Sequence, residues 1–210
     1  MSTTSAGRRR TTRDRQREET RERVFNAALE VFRREGLSDA RIEDIAEAAG
    51  VSRGTFYFHF PKREDVLFEL LRRSQGDLAD RLDGLPAGTP IRDVLLTVSH
   101  HMADRWESDP MLLIEMGRVA LGRARGDLQV QADQHPGLAA LLPRFASGIE
   151  RGELDTLLPP ALLASFFLIN IFAASMAWAQ HRAGPLRQVL DPVVVFFLRG
   201  AARPDAAPTA

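Results

Sequence analysis

Apolar residues recur along most of the chain at intervals of three and four positions, the spacing of one face of an α-helix. Val24, Ala28, Val31 and Phe32 share such a face, and Gly36 follows as a stop. Eight further segments carry the same periodicity, and glycine or proline residues lie at many of their ends. No run of alternating β-branched residues indicates a sheet. The pattern therefore predicts an all-α protein of about nine helices.

Two of these segments are short and closely spaced. The first carries apolar residues from Ile42 to Ala49 at helical intervals, and Gly50 ends it. Ser52 is suited to cap the next helix, in which Phe56 and Phe60 lie four positions apart and point inward together. Two short helices joined by a tight glycine turn are typical of a helix-turn-helix, whose second helix enters the DNA major groove.

The side chains of the second short helix suit contact with DNA. Arg53 is able to donate a bidentate pair to guanine, and Thr55 to meet a thymine methyl group or a phosphate. Gly54 has no side chain to hold the backbone away from the duplex. Donors for phosphate oxygens follow at Tyr57, His59, Lys62 and Arg63. The alternative is a helical hairpin without a DNA-binding role, in which the aromatic residues form a core. We adopt a core position for Phe56 and Phe60 only.

One segment leaves two interpretations open. Residues 156–180 contain no charged side chain, and this run is long enough to span a bilayer. A helix that is apolar on all sides is equally typical of a protein core or of a subunit interface. Ser165, Asn170 and Ser175 interrupt the run, and the other helices are amphipathic. These features favour a soluble protein without a membrane partner.

Composition and charge limit the possible functions. The 210 residues hold 28 basic and 28 acidic side chains and no cysteine. Disulfides, thiol catalysis and Cys-rich zinc sites are therefore excluded. The net charge of zero is a cancellation, since residues 1–63 hold 14 basic and 10 acidic side chains. The N-terminal part of the chain is modestly basic and the remainder is acidic. This distribution suits a protein that contacts phosphates through its N-terminal part only.

The N-terminal residues are polar and contain no apolar stretch of the kind that a secretory signal needs, which predicts a cytoplasmic protein. We expect residues 1–19 to form a flexible arm. Its Arg8, Arg9 and Arg10 either enter a minor groove, as basic arms do, or remain solvated.

Two enzyme-like patterns have simpler explanations. Gly50, Ser52 and Gly54 fit the G-x-S-x-G nucleophile elbow of α/β-hydrolases, but an elbow needs a preceding strand, and the preceding residues have helical period. His100 and Asp104 are i, i+4 neighbours, but no third metal ligand is evident nearby. We therefore predict no catalytic residue, no metal and no cofactor.

The stretch IEDIAEAAGVSRGTFYFHFPKREDVL, residues 42–67, closely resembles the DNA-binding domain of TetR-family transcriptional regulators. The resemblance covers residues 20–67, and beyond them it is architectural. It implies a homodimeric repressor that binds a palindromic operator and is released by a small hydrophobic effector. The sequence departs from the family pattern in two places. Arg63, preceded by Lys62, stands where a lysine is usual, and Ala40 and Arg41 replace the usual Thr or Ser.

The resemblance divides the chain into a DNA-binding domain over residues 20–66, a ligand-binding and dimerisation domain over residues 67–202, and a disordered tail over residues 203–210. The residues it implies for DNA contact are Arg41, Ser52, Arg53, Gly54, Thr55, Tyr57, His59, Lys62 and Arg63. Polar or polarisable groups within apolar helices are the candidates for the effector site, namely His101, Met102, Trp106, Met111, Glu115, Phe145 and Asn170. In the family, the last two long helices pair with those of the partner. The resemblance therefore implies that the candidates for the dimer interface divide between this interface and the core, namely Phe166, Phe167, Phe172, Trp178, Val194, Phe196 and Phe197.

Overall fold

A computed structural model describes residues 11–123, 135–154 and 158–201, with the side chains of residues 120–123 and 201 left out. These residues form nine α-helices and no strand, which confirms the predicted all-α class. The helices are α1 (Thr12–Glu35), α2 (Ile42–Ala48), α3 (Arg53–His59), α4 (Glu64–Asp83), α5 (Ile91–Trp106), α6 (Pro110–Arg123), α7 (Pro136–Glu150), α8 (Pro160–His181) and α9 (Leu186–Ala201). The chain divides into two compact units, Met1–Val66 and Leu67–Ala210.

The first unit packs α1, α2 and α3 against one another. Its core contains Phe32, Ile45, Phe56 and Phe60, all of which are almost completely buried. Gly36 ends α1 with a positive φ of 79°, a conformation that a glycine adopts without steric cost. This small core holds the short helices α2 and α3, which would be unstable in isolation.

Helix α1 begins earlier than the sequence predicts. The Thr11 hydroxyl accepts a hydrogen bond from the backbone N–H of Asp14 at 3.2 Å, and the Asp14 carboxylate accepts one from the Thr11 N–H at 3.0 Å. This capping box starts a helix at Thr12. The expectation of a flexible arm over residues 1–19 is therefore wrong for residues 12–19, while Arg8, Arg9 and Arg10 lie outside the described residues.

The second unit is organised around α8 and α9. Helix α8 packs against α6, α7 and α9, and α9 also packs against α5. The Glu153 carboxylate accepts a hydrogen bond from the backbone N–H of Ile91, at the start of α5. Arg144 on α7 donates to the carbonyl oxygens of Leu82 and Leu85 at the end of α4. These contacts satisfy exposed helix ends and fix the helices that surround a cavity described below.

Helix α8 is long and apolar enough to cross a membrane by length and composition, and one third of its most apolar window is buried within the chain. Its buried residues, which include Leu163, Phe167 and Ile171, follow the helical period and face the other helices of the unit. Leu162, Phe166 and Ile169 alternate with them and are exposed. The helix thus has one face in the core and a second apolar face that the described residues do not cover.

Candidate nucleic-acid interface and effector cavity

Helix α3 is held by its cap and by two buried rings. The Ser52 hydroxyl accepts a hydrogen bond from the Thr55 N–H at 3.1 Å, and the hydroxyls of the two residues are 2.9 Å apart. Gly50 permits the tight turn before it with a φ of 65°. Since the residues before Gly50 form a helix, Ser52 does not occupy a strand-to-helix nucleophile elbow.

One face of α3 is exposed. Phe56 is fully buried, whereas Arg53, Gly54 and Tyr57 are exposed and Thr55 is half-buried. A Cβ atom added at Gly54 would meet only the Ser52 hydroxyl oxygen, at the ordinary distance of 3.7 Å. The protein itself therefore does not require glycine there. The exposed face presents the Arg53 guanidinium and the Tyr57 phenol, and Gly54 contributes no side chain between them.

Arg53 forms an ion pair with an acidic residue of the neighbouring helix. Its guanidinium lies 2.8 Å from the Glu43 carboxylate on α2, and both side chains are largely exposed, at 60% and 43%. Exposed pairs of this kind contribute about 0–1 kcal/mol. The Arg53 guanidinium can consequently leave Glu43 at little cost in free energy and contact another anion, such as a phosphate.

The end of α3 carries an arginine-aromatic cluster that sequence reasoning missed. Phe58 is 63% exposed, and the Arg17 guanidinium lies over its ring at 5.0 Å from the centroid. Arg21 lies 4.5 Å from the centroid of Phe60 and donates to the His59 carbonyl oxygen at 3.2 Å. From the sequence, residues 1–19, which include Arg17, are expected to form a flexible arm, and this expectation hid the contact of Arg17 with α3.

The imidazole of His59 lies beside this cluster. Burial, and then the nearby Arg17 and Arg21, lower the pKa of His59, with Glu18 opposing them. The ring is therefore neutral at pH 7. Its contribution to phosphate binding would be a hydrogen bond from a ring N–H rather than a full positive charge.

The cations that flank α3 have different roles. Lys62 and Arg41 are exposed. Arg63, by contrast, donates from Nη1 to the carbonyl oxygens of Ser38 at 3.0 Å and Ala40 at 3.2 Å. Arg63 thus ties the segment after α3 to the loop before α2, a role that a guanidinium performs and a lysine ammonium would perform less well.

A cavity of about 340 Å³ lies in the second unit. Its lining is mostly apolar, with polar residues from α4, α5 and α8 and from His135, which precedes α7. The lining residues are Leu71, Ser74, Gln75, Leu78, Val98, His101, Met102, Trp106, Met116, His135, Gly137, Leu138, Ser165, Leu168, Ile169 and Phe172. Three of the seven effector-site candidates, His101, Met102 and Trp106, are among them.

The other four candidates lie elsewhere. Met111 is exposed on α6, and Asn170 is exposed on α8, where its side-chain amide donates to the Phe166 carbonyl oxygen. Glu115 is buried but paired with Arg118 at 2.8 Å. Phe145 is fully buried, with its ring edge-on to Phe197. Their helical phase places these four residues away from the cavity, which the sequence pattern alone did not resolve.

His101 is the most buried polar group of the cavity wall. Its Nε2 lies 3.0 Å from the Ser74 carbonyl oxygen and 3.2 Å from the Ser74 hydroxyl. Burial is the main cause that lowers the pKa of His101, and Arg81 adds to the effect, while the Ser74 hydrogen bond, Asp77 and Asp104 oppose it. The imidazole is neutral at pH 7. Two other lining residues pair with each other, since the Gln75 amide and His135 Nδ1 are 3.2 Å apart.

The seven candidates for the dimer interface divide into three groups. Phe167, Trp178 and Val194 are buried in their own chain, and Phe197 is half-buried with its ring edge-on to Phe167. Phe172 lines the cavity. Phe166 and Phe196 remain exposed, the latter at 74%. Three unpredicted residues, Leu162, Ile169 and Val195, are exposed on the same two helices; we call these five residues the α8–α9 apolar face.

The histidine and acid at positions 100 and 104 do not converge on a metal. His100 Nε2 lies 3.1 Å from the Asp191 carboxylate, whereas Asp104 pairs with Arg187 and Arg81. Within the described ranges, no group of three or more histidine or acidic side chains is placed to hold a metal ion.

The fold and the exposed α3 define a helix-turn-helix protein with a separate C-terminal helical unit. The sequence model described as "Bacterial regulatory proteins, tetR family" matches residues 24–70. The helix-turn-helix therefore lies wholly within the part of the chain that matches this family of bacterial regulatory proteins.

Similar proteins fall into two groups. The HTH-type transcriptional regulator SrpR of Pseudomonas putida is 49% identical over 61 residues, and EthR of Mycobacterium tuberculosis is 51% identical over 45 residues. These alignments span 29% and 20% of this chain, and only 29% and 21% of the relatives' own lengths. Among solved structures, Thermus thermophilus FadR in complex with lauroyl-CoA has a TM-score of 0.72 at 25% identity, covering 90% of this chain and all of that one. Bacillus subtilis FadR in complex with stearoyl-CoA has a TM-score of 0.65 at 20% identity, covering 85% and 98%.

Proposed function

We propose that the protein is a cytoplasmic transcriptional repressor that binds a palindromic operator as a homodimer and releases it when a small hydrophobic effector occupies the cavity of the second unit. One observation carries the DNA-binding part of this proposal. Arg53, Gly54 and Tyr57 form an exposed face on a helix whose opposite face, at Phe56, is buried.

On this proposal, α3 enters a major groove. Arg53 leaves Glu43 and donates to a base edge or a phosphate, while Gly54 allows the backbone to approach the duplex. Arg63 acts by positioning the loop before α2. The remaining DNA-contacting residues of the proposal are Arg41, Ser52, Thr55, Tyr57, His59 and Lys62.

The α8–α9 apolar face supports the homodimer. An exposed Phe196, Phe166 and Ile169 on neighbouring helices form a surface that soluble monomers rarely present. A two-fold dimer would cover this surface with its own copy. For such a dimer to bind DNA, its two α3 helices must reach successive major-groove faces about 34 Å apart, and a two-fold dimer then calls for a palindromic operator.

The cavity supports the regulatory part. It is apolar, with a few polar groups, as small-molecule sites are, and FadR proteins of the same fold have been solved with lauroyl-CoA and stearoyl-CoA. An effector that binds better to a state with altered α3 spacing would shift the population away from the DNA-competent state.

The experiment begins with selection of bound sequences from random DNA, followed by titration of the enriched operator with purified protein. Arg53→Ala should weaken operator binding by roughly 10- to 100-fold, which corresponds to one bidentate base contact. Arg34→Ala is the matched control, because Arg34 is an exposed arginine of the same unit that pairs with a neighbouring glutamate, Glu35.

The control should bind as the wild type does. Recovery of no preferred sequence, or equal weakening by both variants, would contradict the proposal. Repression is tested separately by placing the selected operator ahead of a reporter gene, whose expression should fall when the protein is present and recover when an effector is added.

A further inference from the structure

We infer that the DNA-binding surface extends beyond the helix-turn-helix: Arg17 of α1, which lies over the Phe58 ring, donates hydrogen bonds to a phosphate of the DNA backbone at the edge of the major groove. This inference rests on the proposed function in taking α3 as the helix that enters the groove. It adds a phosphate contact from a turn of α1 that precedes residues 24–70, the part of the chain that matches the family.

Helix α3 is short enough for both of its ends to approach the walls of a major groove. Its seven residues, Arg53–His59, form a helix ~10 Å long, whereas the groove is ~12 Å wide. In a helix-turn-helix the N-terminal residues of the second helix contact base edges. We therefore expect the C-terminal end of α3, at residues 57–59, to lie beside the sugar-phosphate strand that borders the groove.

Arg17 lies at this C-terminal end of α3. The Arg17 guanidinium is 5.0 Å from the centroid of the Phe58 ring. Arg17 is exposed, and Phe58 keeps 63% of its surface exposed. The two side chains therefore lie on the surface of the first unit and not in its core, so that a DNA strand beside α3 can reach both of them.

The contact with Phe58 leaves the hydrogen-bond donors of Arg17 available. A guanidinium that stacks on a ring contacts it with its face, and its five N–H donors lie in the plane of the group. The ring also restricts a long side chain, which reduces the rotamer entropy that is lost when a ligand binds. An arginine held in this way is suited to donate two parallel hydrogen bonds to phosphate oxygens.

The charges around Arg17 favour an anion. A surface groove at the end of α3 is lined by Asp14, Arg17, Glu18, Arg21, Phe58 and His59. The Asp14 carboxylate accepts hydrogen bonds from the N–H and the hydroxyl of Thr11, at the start of α1. Arg17 and Arg21 each lower the pKa of His59 more than Glu18 raises it. The electrostatic potential beside Phe58 is therefore positive, although acids and arginines both line the groove.

Arg21, one turn along α1, shows what an arginine with a purely structural role looks like. Its guanidinium lies over the buried Phe60 ring and donates to the His59 carbonyl oxygen, so Arg21 stabilises the end of α3. Arg17, by contrast, contacts a ring that is itself exposed, and an exposed contact of this kind stabilises a fold only slightly. Phosphate binding explains the position of Arg17 better than stabilisation of α3 alone.

The test uses the full chain, the operator recovered by selection and fluorescence anisotropy at several salt concentrations. Each phosphate contact makes the slope of log K against log salt steeper by about 0.9. Arg17→Ala should therefore reduce the slope by about 1 for each bound subunit and weaken binding by roughly tenfold at low salt. Arg17→Lys keeps the charge and should restore most of the slope. Arg15→Ala is the matched control, because Arg15 is an exposed arginine of α1 on a different face, and it should keep the wild-type slope.

A second measurement locates the phosphate. Neutral methylphosphonate linkages replace the phosphates of the operator one at a time. One replacement should weaken binding by the wild type but not by Arg17→Ala, because the two changes remove the same contact. The coupling is also measured with Arg17→Gln, which removes the charge but keeps most of the length of the side chain. If Arg17 only stabilised α3, both variants would bind the operator more weakly with an unchanged slope and without such coupling.

Three results would overturn the inference: an unchanged salt slope in Arg17→Ala, an equal loss of slope in Arg15→Ala, or no phosphate that is coupled to Arg17. In each of these cases the wild type still binds the operator, and the proposed function stands without the additional contact. If selection recovers no operator, the proposed function fails and the inference fails with it.

Discussion

The Arg53 guanidinium contacts the Glu43 carboxylate at 2.8 Å, so the cation that we propose to meet DNA is held by an acid of the neighbouring helix. The contact has two consequences for binding. It orients Arg53 in the free protein and, on the proposed mode of binding, Arg53 must exchange it for a contact with DNA. Because both partners are largely exposed, the exchange costs little.

Glu43→Gln should tighten operator binding by roughly two- to tenfold at low salt, since it releases Arg53 and removes a negative charge near the phosphates. Fluorescence anisotropy with a labelled operator at two salt concentrations checks this. The advantage should shrink as salt rises, because screening weakens both effects. Weaker binding by Glu43→Gln would instead show that Glu43 orients Arg53 for the complex.

Gly54→Ala should leave the free protein stable but weaken operator binding by at least about tenfold. An added Cβ at residue 54 meets only the Ser52 hydroxyl oxygen at 3.7 Å, and alanine has the better helix propensity, by about 0.5–1 kcal/mol. The thermal unfolding midpoint and the operator affinity are measured together. Unchanged affinity would mean that the α3 backbone does not approach the duplex closely at this position.

Phe196→Glu should convert the proposed dimer into monomers, because it replaces the most exposed ring of the α8–α9 apolar face with a charge. Light scattering coupled to size-exclusion chromatography measures the mass directly. Met111→Glu is the control, since Met111 is also exposed but lies on α6. A wild-type monomer, or dissociation by both variants alike, would rule out this face as the dimer interface.

His101 should make stability fall as the pH falls below about 6.5. Its pKa is lower in the folded protein than in the unfolded chain, so that the unfolded chain binds more protons in this range and stability rises with pH. The slope from this residue is at most about 1.4 kcal/mol per pH unit. Asp77 and Asp104 favour the charged ring, and Arg81 disfavours it.

Urea unfolding between pH 5 and pH 8 compares wild type with His101→Phe. The variant should lose less stability over this interval, and the slope that remains reports other groups such as His59, whose pKa is also lowered. If the free energy of unfolding changed equally with pH in the two proteins, position 101 would not bury a neutral imidazole.

The sequence predicted the fold where helical period and capping chemistry agree. The apolar faces and the Ser52 cap of the helix-turn-helix required only neighbours along the chain, and the structure contains them. Contacts between distant segments were beyond this reasoning. The Arg17 and Phe58 contact joins residues 41 positions apart, and Arg63 reaches carbonyl groups more than 20 residues away.

The effector cavity shows the same limit. Polar residues within apolar helices are visible in the sequence, but the rotation of each helix decides whether they face the cavity, the core or solvent. His101 and Trp106 face the cavity, whereas Phe145 faces the core and Asn170 faces solvent. Ser74 and Gln75 were missed because they lie on α4, whose amphipathic pattern did not distinguish them from ordinary surface residues.

The stacking of Arg17 and Arg21 on the rings of Phe58 and Phe60 determines how much of the chain must be included when the DNA-binding unit is transferred to another protein. The family pattern begins at residue 24, but the side chains that brace the end of α3 come from the preceding three turns of α1. A chimera that joins this helix-turn-helix to another effector-binding domain should therefore include residues 11–23. Without them, α3 would lose the contacts that stabilise its C-terminal end.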